Sequence, residues 1–113
     1  MSDGWTRGLR SDLIPWFKWI VSFVQSYDPT AQVTSAFRSR SEQRRLYDRY
    51  LRGLSKYPAA PPGSSLHEMG RAIDIKADLI ALQAGGVAWD YYGGTWGGAF
   101  PGSGNYDPIH FEA

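Results

Sequence analysis

Across Asp28-Pro29 the spacing of apolar residues changes from a helical period to a two-residue one. Before that break, Leu13, Trp16, Phe17, Ile20, Val21 and Val24 recur at three- and four-residue steps. That spacing draws one apolar stripe along a helix over 11–27. Asp12 and Pro15 suit its start. Asp28-Pro29 stops it, because the residue before a proline is pushed out of the α region. After the break, QVTSAFR at 32–38 alternates and predicts a short strand. A striped helix beside a short strand points to an α+β arrangement: two main helices packed on a small, mostly antiparallel sheet. The chain has 113 residues, which fits a single domain over 1–113 and leaves no room for a second.

The second helix is marked by Ser39 three residues before Glu42, the spacing of a capping box. It is expected over 40–52, with Leu46, Tyr47 and Tyr50 on one side and Arg44, Arg45, Asp48, Arg49 and Arg52 on the other. Seven of the 12 basic residues fall within 38–56, so this face is either a solvated surface or one that attracts an anionic substrate or polymer. The stretch 53–65, GLSKYPAAPPGSS, is a Pro/Gly/Ser loop, and an ordered loop of that length tends to be functional. RAIDIK at 71–76 reads as a second strand, 77–84 as a short helix ending at Gly85-Gly86, and 109–112 as a final strand. Between them, residues 85–104 interleave glycines with Trp89, Tyr91, Tyr92, Trp96 and Phe100. These aromatics either line a cleft, where Trp89 and Trp96 can stack on sugar rings, or cover the core.

The chain has no cysteine and only two histidines. Disulfides, iron–sulfur clusters, Cys-ligated zinc and a thiol nucleophile are thereby excluded. Both histidines have acids nearby. His67 is seven residues before Asp74, and in an unbroken strand that spacing points the two to opposite faces. Bringing them to one site needs a bend, and Gly70 is the residue that permits it. Asp74 lies within Ala-Ile-Asp-Ile, where an isolated carboxylate is costly and requires an arginine, amide donors or a metal. His110 follows Asp107 by three residues, with Pro108 forcing a turn, and precedes Glu112 on the same strand face. Two histidines and an aspartate can make a three-ligand zinc site with a position left for water. Spacing leaves hydrogen-bonded structural pairs equally open, and Asp107 and Glu112 both qualify as a general base by proximity.

Three blocks carry a resemblance. Residues 65–74 read S-x-H-x-x-G-x-A-x-D, residues 107–111 read D-x-x-H-F, and Ser35 to Tyr47 resembles S-x-[FY]-R-S-x-x-x-Q-x-x-L-Y. In this order they resemble the zinc D-Ala-D-Ala carboxypeptidase and L-alanyl-D-glutamate endopeptidase family, which acts on peptidoglycan stem peptides and includes phage endolysins. The resemblance runs from about Val33 to Glu112. It implies a hedgehog/DD-peptidase-like α+β fold with zinc at the sheet edge, and His67, Asp74 and His110 as the ligands of a Zn2+ ion. It implies Asp107 as the general base, Arg38 as the group that binds the substrate carboxylate or the developing oxyanion, and Ser65 as a substrate contact. Glu112 is left a position behind the ligands or no role. In this family Asp rather than Glu before the last histidine accompanies the endopeptidases, so Asp107 tilts the expectation toward the L-Ala-D-Glu bond.

A formal net charge of +1 argues against a nucleic-acid binder, which needs a strong basic excess. No stretch is apolar enough to span a membrane, and the start, MSDGWTRGLR, lacks the apolar core of an export signal. The expectation is a monomer made in the cytoplasm without a signal peptide, acting at the cell wall after release or delivery. A competing reading is a non-catalytic wall-binding or structural domain of the same fold. Such a domain would be expected to have lost a ligand or the base.

Overall fold

A computed structural model describes residues 4–113. Residues 1–3, part of the polar start read above, lie outside the described residues. Helix α1, Ile14–Tyr27, buries Phe17, Ile20, Val21 and Val24, the centre of the predicted stripe. It starts later than its sequence suggests. Pro15 occupies the first turn, and Asp12 pairs with Arg10 at 3.0 Å instead of capping the helix. Strand β1, Gln32–Ser35, is followed by helix α2, Arg40–Leu51, which opens on the expected Ser39–Glu42 capping box. Strand β2 is Ala72–Lys76, helix α3 is Leu79–Tyr91, strand β3 is Thr95–Trp96 and strand β4 is His110–Glu112. The sheet is antiparallel throughout in the order β1-β2-β4-β3. No helix among the described residues is long and apolar enough to cross a membrane.

The α+β class holds, and the third helix, expected to be short, matches the two main ones in length. Helix α3 does not stop at Gly85-Gly86 but runs through both. A Cβ on Gly85 would lie 2.6 Å from Val24 Cγ2, and one on Gly86 would run into the Trp96 indole. These glycines therefore serve close helix packing, not termination, and this outweighs the roughly 1 kcal/mol each costs in helix propensity. Asp78 caps α3 by accepting from the Ala81 amide at 2.8 Å. Asp28, at the end of α1, accepts from the Asp78 amide at 2.9 Å and so ties the two helices together.

Alternation in the strands divides the molecule into two faces. Ile73, Ile75 and Phe111 are fully buried in the core with Phe17, Ile20 and Val24 of α1 and Leu82 and Trp89 of α3. Phe17 stacks on Trp89 at 5.6 Å, and Trp89 meets Phe111 edge-on. Trp89 and Trp96 are buried, and their indole N–H groups donate to the carbonyls of Glu112 and Pro108. Sugar stacking by these two tryptophans is thus ruled out by burial. Phe100, from the same aromatic stretch, borders the cleft. Helix α2 buries only Gln43, so its Leu46–Tyr47–Tyr50 side forms a cleft wall where a core contact was expected.

Candidate metal centre

On the sheet face opposite Ile73 and Phe111, Asp74 of β2 sits directly across from His110 of β4. These are the two central strands, so the pair lies mid-sheet and not at the edge. His67 reaches them from a 3-10 turn, Leu66–Met69, capped by Ser65, whose hydroxyl accepts from the His67 amide at 3.2 Å. Gly70 ends the turn with φ 70°. A Cβ there would approach the Gly8 carbonyl to 2.6 Å and the Arg10 amide to 2.9 Å. Gly70 thus supplies the bend that the spacing of His67 and Asp74 demanded, and only glycine fits it.

The three side chains offer donor atoms that all lie within 4.8 Å of one another. His67 Nδ1–H donates to the Ala36 carbonyl at 2.7 Å, which leaves Nε2 bare and 3.2 Å from Asp74 Oδ1. His110 Nε2–H donates to Glu112 Oε1 at 2.7 Å, which leaves Nδ1 3.4 Å from the same oxygen. Asp74 Oδ2 accepts from Arg38 Nη2 at 2.7 Å, while Oδ1 is buried and makes no hydrogen bond. A buried carboxylate oxygen without a partner is costly in a folded protein. Here it points between two imidazole nitrogens whose other nitrogens are held by a carbonyl and a carboxylate. That is how metal-ligating histidines are usually oriented. The donor set of two imidazoles and a carboxylate fits a zinc ion and leaves a coordination position open.

The electrostatics follow from this packing. Burial works against charge on Asp74, but the close imidazoles of His110 and His67 and the charge of Arg38 outweigh it. They hold the carboxyl well below the usual carboxylate range. Burial also disfavours charge on His110, yet contacts with Asp74 and Glu112 overcome it and raise the imidazole to about 9. Asp107 goes the other way: burial and the nearby Asp74 charge push it up to about 6, against the pull of His110 and Arg38. Its Oδ1 is buried and unpartnered. The Asp107 loop is pressed against Gly97, whose carbonyl accepts from the Asp107 amide at 3.0 Å, and the His110 amide donates back to the Asp107 carbonyl.

All the residues singled out from sequence border one open cleft of about 840 Å³: Arg38, Ser65, His67, Asp74, Asp107 and His110. Arg38 is engaged three times, by Ser35 Oγ at 2.7 Å, Gln43 Oε1 at 3.0 Å and Asp74. Two of its five N–H donors remain uncommitted. Gln43 stands in the motif read over 35–47 but carries no assigned role there. It is fully buried, accepts from Arg38 and donates to the Ala60 carbonyl at 2.8 Å, joining the arginine to loop 53–65. The signal for it was the Q of that motif, at the head of the Gln43, Leu46, Tyr47, Tyr50 stripe.

A family model described as VanY, D-alanyl-D-alanine carboxypeptidase, matches residues 6–88. The chain belongs to the VanY family. Three solved structures share its fold. The D,D-dipeptidase VanXYg, solved with a D-Ala-D-Ala phosphinate analogue, superposes with a TM-score of 0.68 at 22% identity, covering 92% of this chain and 49% of that one. The chain thus spans about half the length of VanXYg. A variant of the D,D-pentapeptidase VanY from a VanB-type resistance cassette, in complex with Zn(II), gives 0.66 at 17% identity, covering 92% and 71%. The Serratia marcescens L-Ala D-Glu endopeptidase ChiX gives 0.63 at 22% identity, covering 98% and 84%. No curated protein matches the chain.

Proposed function

We propose that this VanY-family chain is a zinc-dependent peptidoglycan peptidase that hydrolyses a stem-peptide bond, with the L-Ala-D-Glu bond preferred. The observation that carries the reading is Asp74 Oδ1, buried without a hydrogen-bond partner and aimed between His67 Nε2 and His110 Nδ1 in an open cleft. His67, Asp74 and His110 would hold the ion. When bound, zinc supplies Lewis-acid activation of water and of the scissile carbonyl. The protein supplies the rest. Asp107, already raised to about 6, takes the proton of the attacking water and returns it to the leaving amine. Arg38 donates to the substrate carboxylate or to the oxygen on which charge develops, held in place by Ser35 and Gln43. Ser65 shapes the turn that presents His67 and stands at the cleft as a substrate contact. Glu112 keeps the His110 ring in the tautomer that offers Nδ1.

Asp107, in place of Glu, favours the endopeptidase branch and an endolysin-like role at the cell wall. Release of a terminal D-Ala is the second reading, supported by the family's description and by the D-Ala-D-Ala analogue bound to VanXYg. The test has two arms. Elemental analysis of the purified protein should give about one zinc per chain, lost in His67→Ala. Mass spectrometry of digested muropeptides then locates the bond: free D-Ala supports the second reading, and a cut beside L-Ala the first. No zinc uptake and no cleavage would leave a binding domain.

A further inference from the structure

The outward face of α2 carries Arg44, Arg45, Arg49 and Arg52, all exposed. Among the described residues no carboxylate forms an ion pair with any of them. Asp48 stands among these arginines at helical spacing and is left unpaired as well. With Ser41 and Asp48 the four arginines border a shallow depression of about 280 Å³. Arg49 borders both this depression and the catalytic cleft, so the two surfaces are continuous.

The charge of the whole chain is lopsided around this face. Residues 38–56 hold seven basic residues against two acidic ones, whereas the rest holds five basic against nine acidic. A net charge of +1 therefore conceals a positive surface beside the cleft on an otherwise acidic chain. Like charges on one helical face repel, and the one carboxylate among the four arginines, Asp48, does not cancel that repulsion. A polyanion laid along the helix would.

We infer that the outward face of α2 is a docking surface for the free carboxylates of peptidoglycan stem peptides neighbouring the one held in the cleft. The inference rests on the peptidase reading above. Continuity through Arg49 argues that the partner is the polymer that also enters the cleft. The planar guanidinium fork matches carboxylates in a bidentate manner, and several weak pairs on one chain add up through effective concentration. The surface retains and steers the enzyme, and takes no part in bond cleavage.

The test compares wild type with the triple variant Arg44→Gln, Arg45→Gln, Arg52→Gln. Glutamine keeps the helix propensity of these exposed positions, and Arg49 is left alone because it borders the cleft. Retention on purified insoluble peptidoglycan is measured in low salt and in about 1 M salt, where the screening length is about 3 Å. Hydrolysis of a small soluble muropeptide is measured beside it. The variant should be retained about tenfold less in low salt, equal to wild type in high salt, and unchanged on the soluble substrate. Converting the wall carboxylates to amides should remove the wild-type advantage. Equal retention of the two proteins in low salt would overturn the inference. So would an advantage that survives carboxyl blocking, which would point to a phosphodiester polymer. Failure of both proteins on the soluble muropeptide would instead overturn the peptidase reading.

Discussion

Asp107 and His110 are three residues apart, and the fold moves both away from their ordinary proton affinities. In the metal-free protein, Asp107 is raised to about 6, so it binds a proton more tightly folded than unfolded. Its contribution to stability is present below the ordinary carboxylate range and is lost as pH rises through about 6. His110 is raised to about 9, so its contribution is present below about 6.5 and lost as pH rises through about 9. A zinc ion held as proposed above would displace that proton. Metal binding near neutral pH should therefore release about one proton from His110 and tighten as pH rises toward 9, which calorimetry in buffers of different ionisation enthalpy will read. As the base proposed above, Asp107 must be ionised to act, and a nearby cation draws its pKa down, so the acid limb of kcat/KM should fall at or below about pH 6. Asp107→Asn should keep zinc and lose about 10²–10⁴-fold in kcat. A variant that stays active would move the base role elsewhere. Gln43→Met preserves volume but leaves Arg38 Nη1 and the Ala60 carbonyl without the partner they share. It should cost about 1–3 kcal/mol in urea unfolding and raise KM.

The elements hold these residues in place through two kinds of glycine. Gly70 turns the chain between His67 and β2 with φ 70°. Gly86 lies inside α3 against Trp96. By propensity alone, Gly86→Ala should stabilise a helix by about 1 kcal/mol. The Trp96 indole occupies the space of the new methyl group, so the observed sign should be destabilising, read as a lower urea midpoint. Phe17 in α1 is fully buried against Trp89, and Phe17→Ala should cost about 3–5 kcal/mol. The elements written in the local code were readable in advance. The apolar stripe of α1, the Ser39–Glu42 capping box and the alternation around Asp74 all involve residues within a few positions of each other. Helix α3 was truncated in that reading, because a glycine pair in one segment says the same thing locally whether it ends a helix or admits a tryptophan. Trp96, ten residues beyond Gly86, decided it.

At the scale of the molecule, the sheet separates an apolar face that gives stability from a polar face that gives the site. An ion bound only by the folded state should stabilise it by about 4 kcal/mol at a thousandfold excess over its dissociation constant. A chelator should then lower the melting temperature by on the order of 15 °C. An unchanged melting temperature on chelation would show that the three ligands hold no ion in solution. The sequence by itself determined the α+β class, the exclusion of thiol chemistry and six of the polar residues that border the cleft. It could do so because periodicity, caps and the ligand motifs are carried by short stretches of chain. Tertiary structure alone decided that Arg38 holds Asp74, 36 residues away, and that Gln43 reaches Ala60 across 17. It also decided that Trp89 and Trp96 belong to the core and that the site is mid-sheet. Each of these depends on which segments become neighbours in space, and no local spacing encodes that.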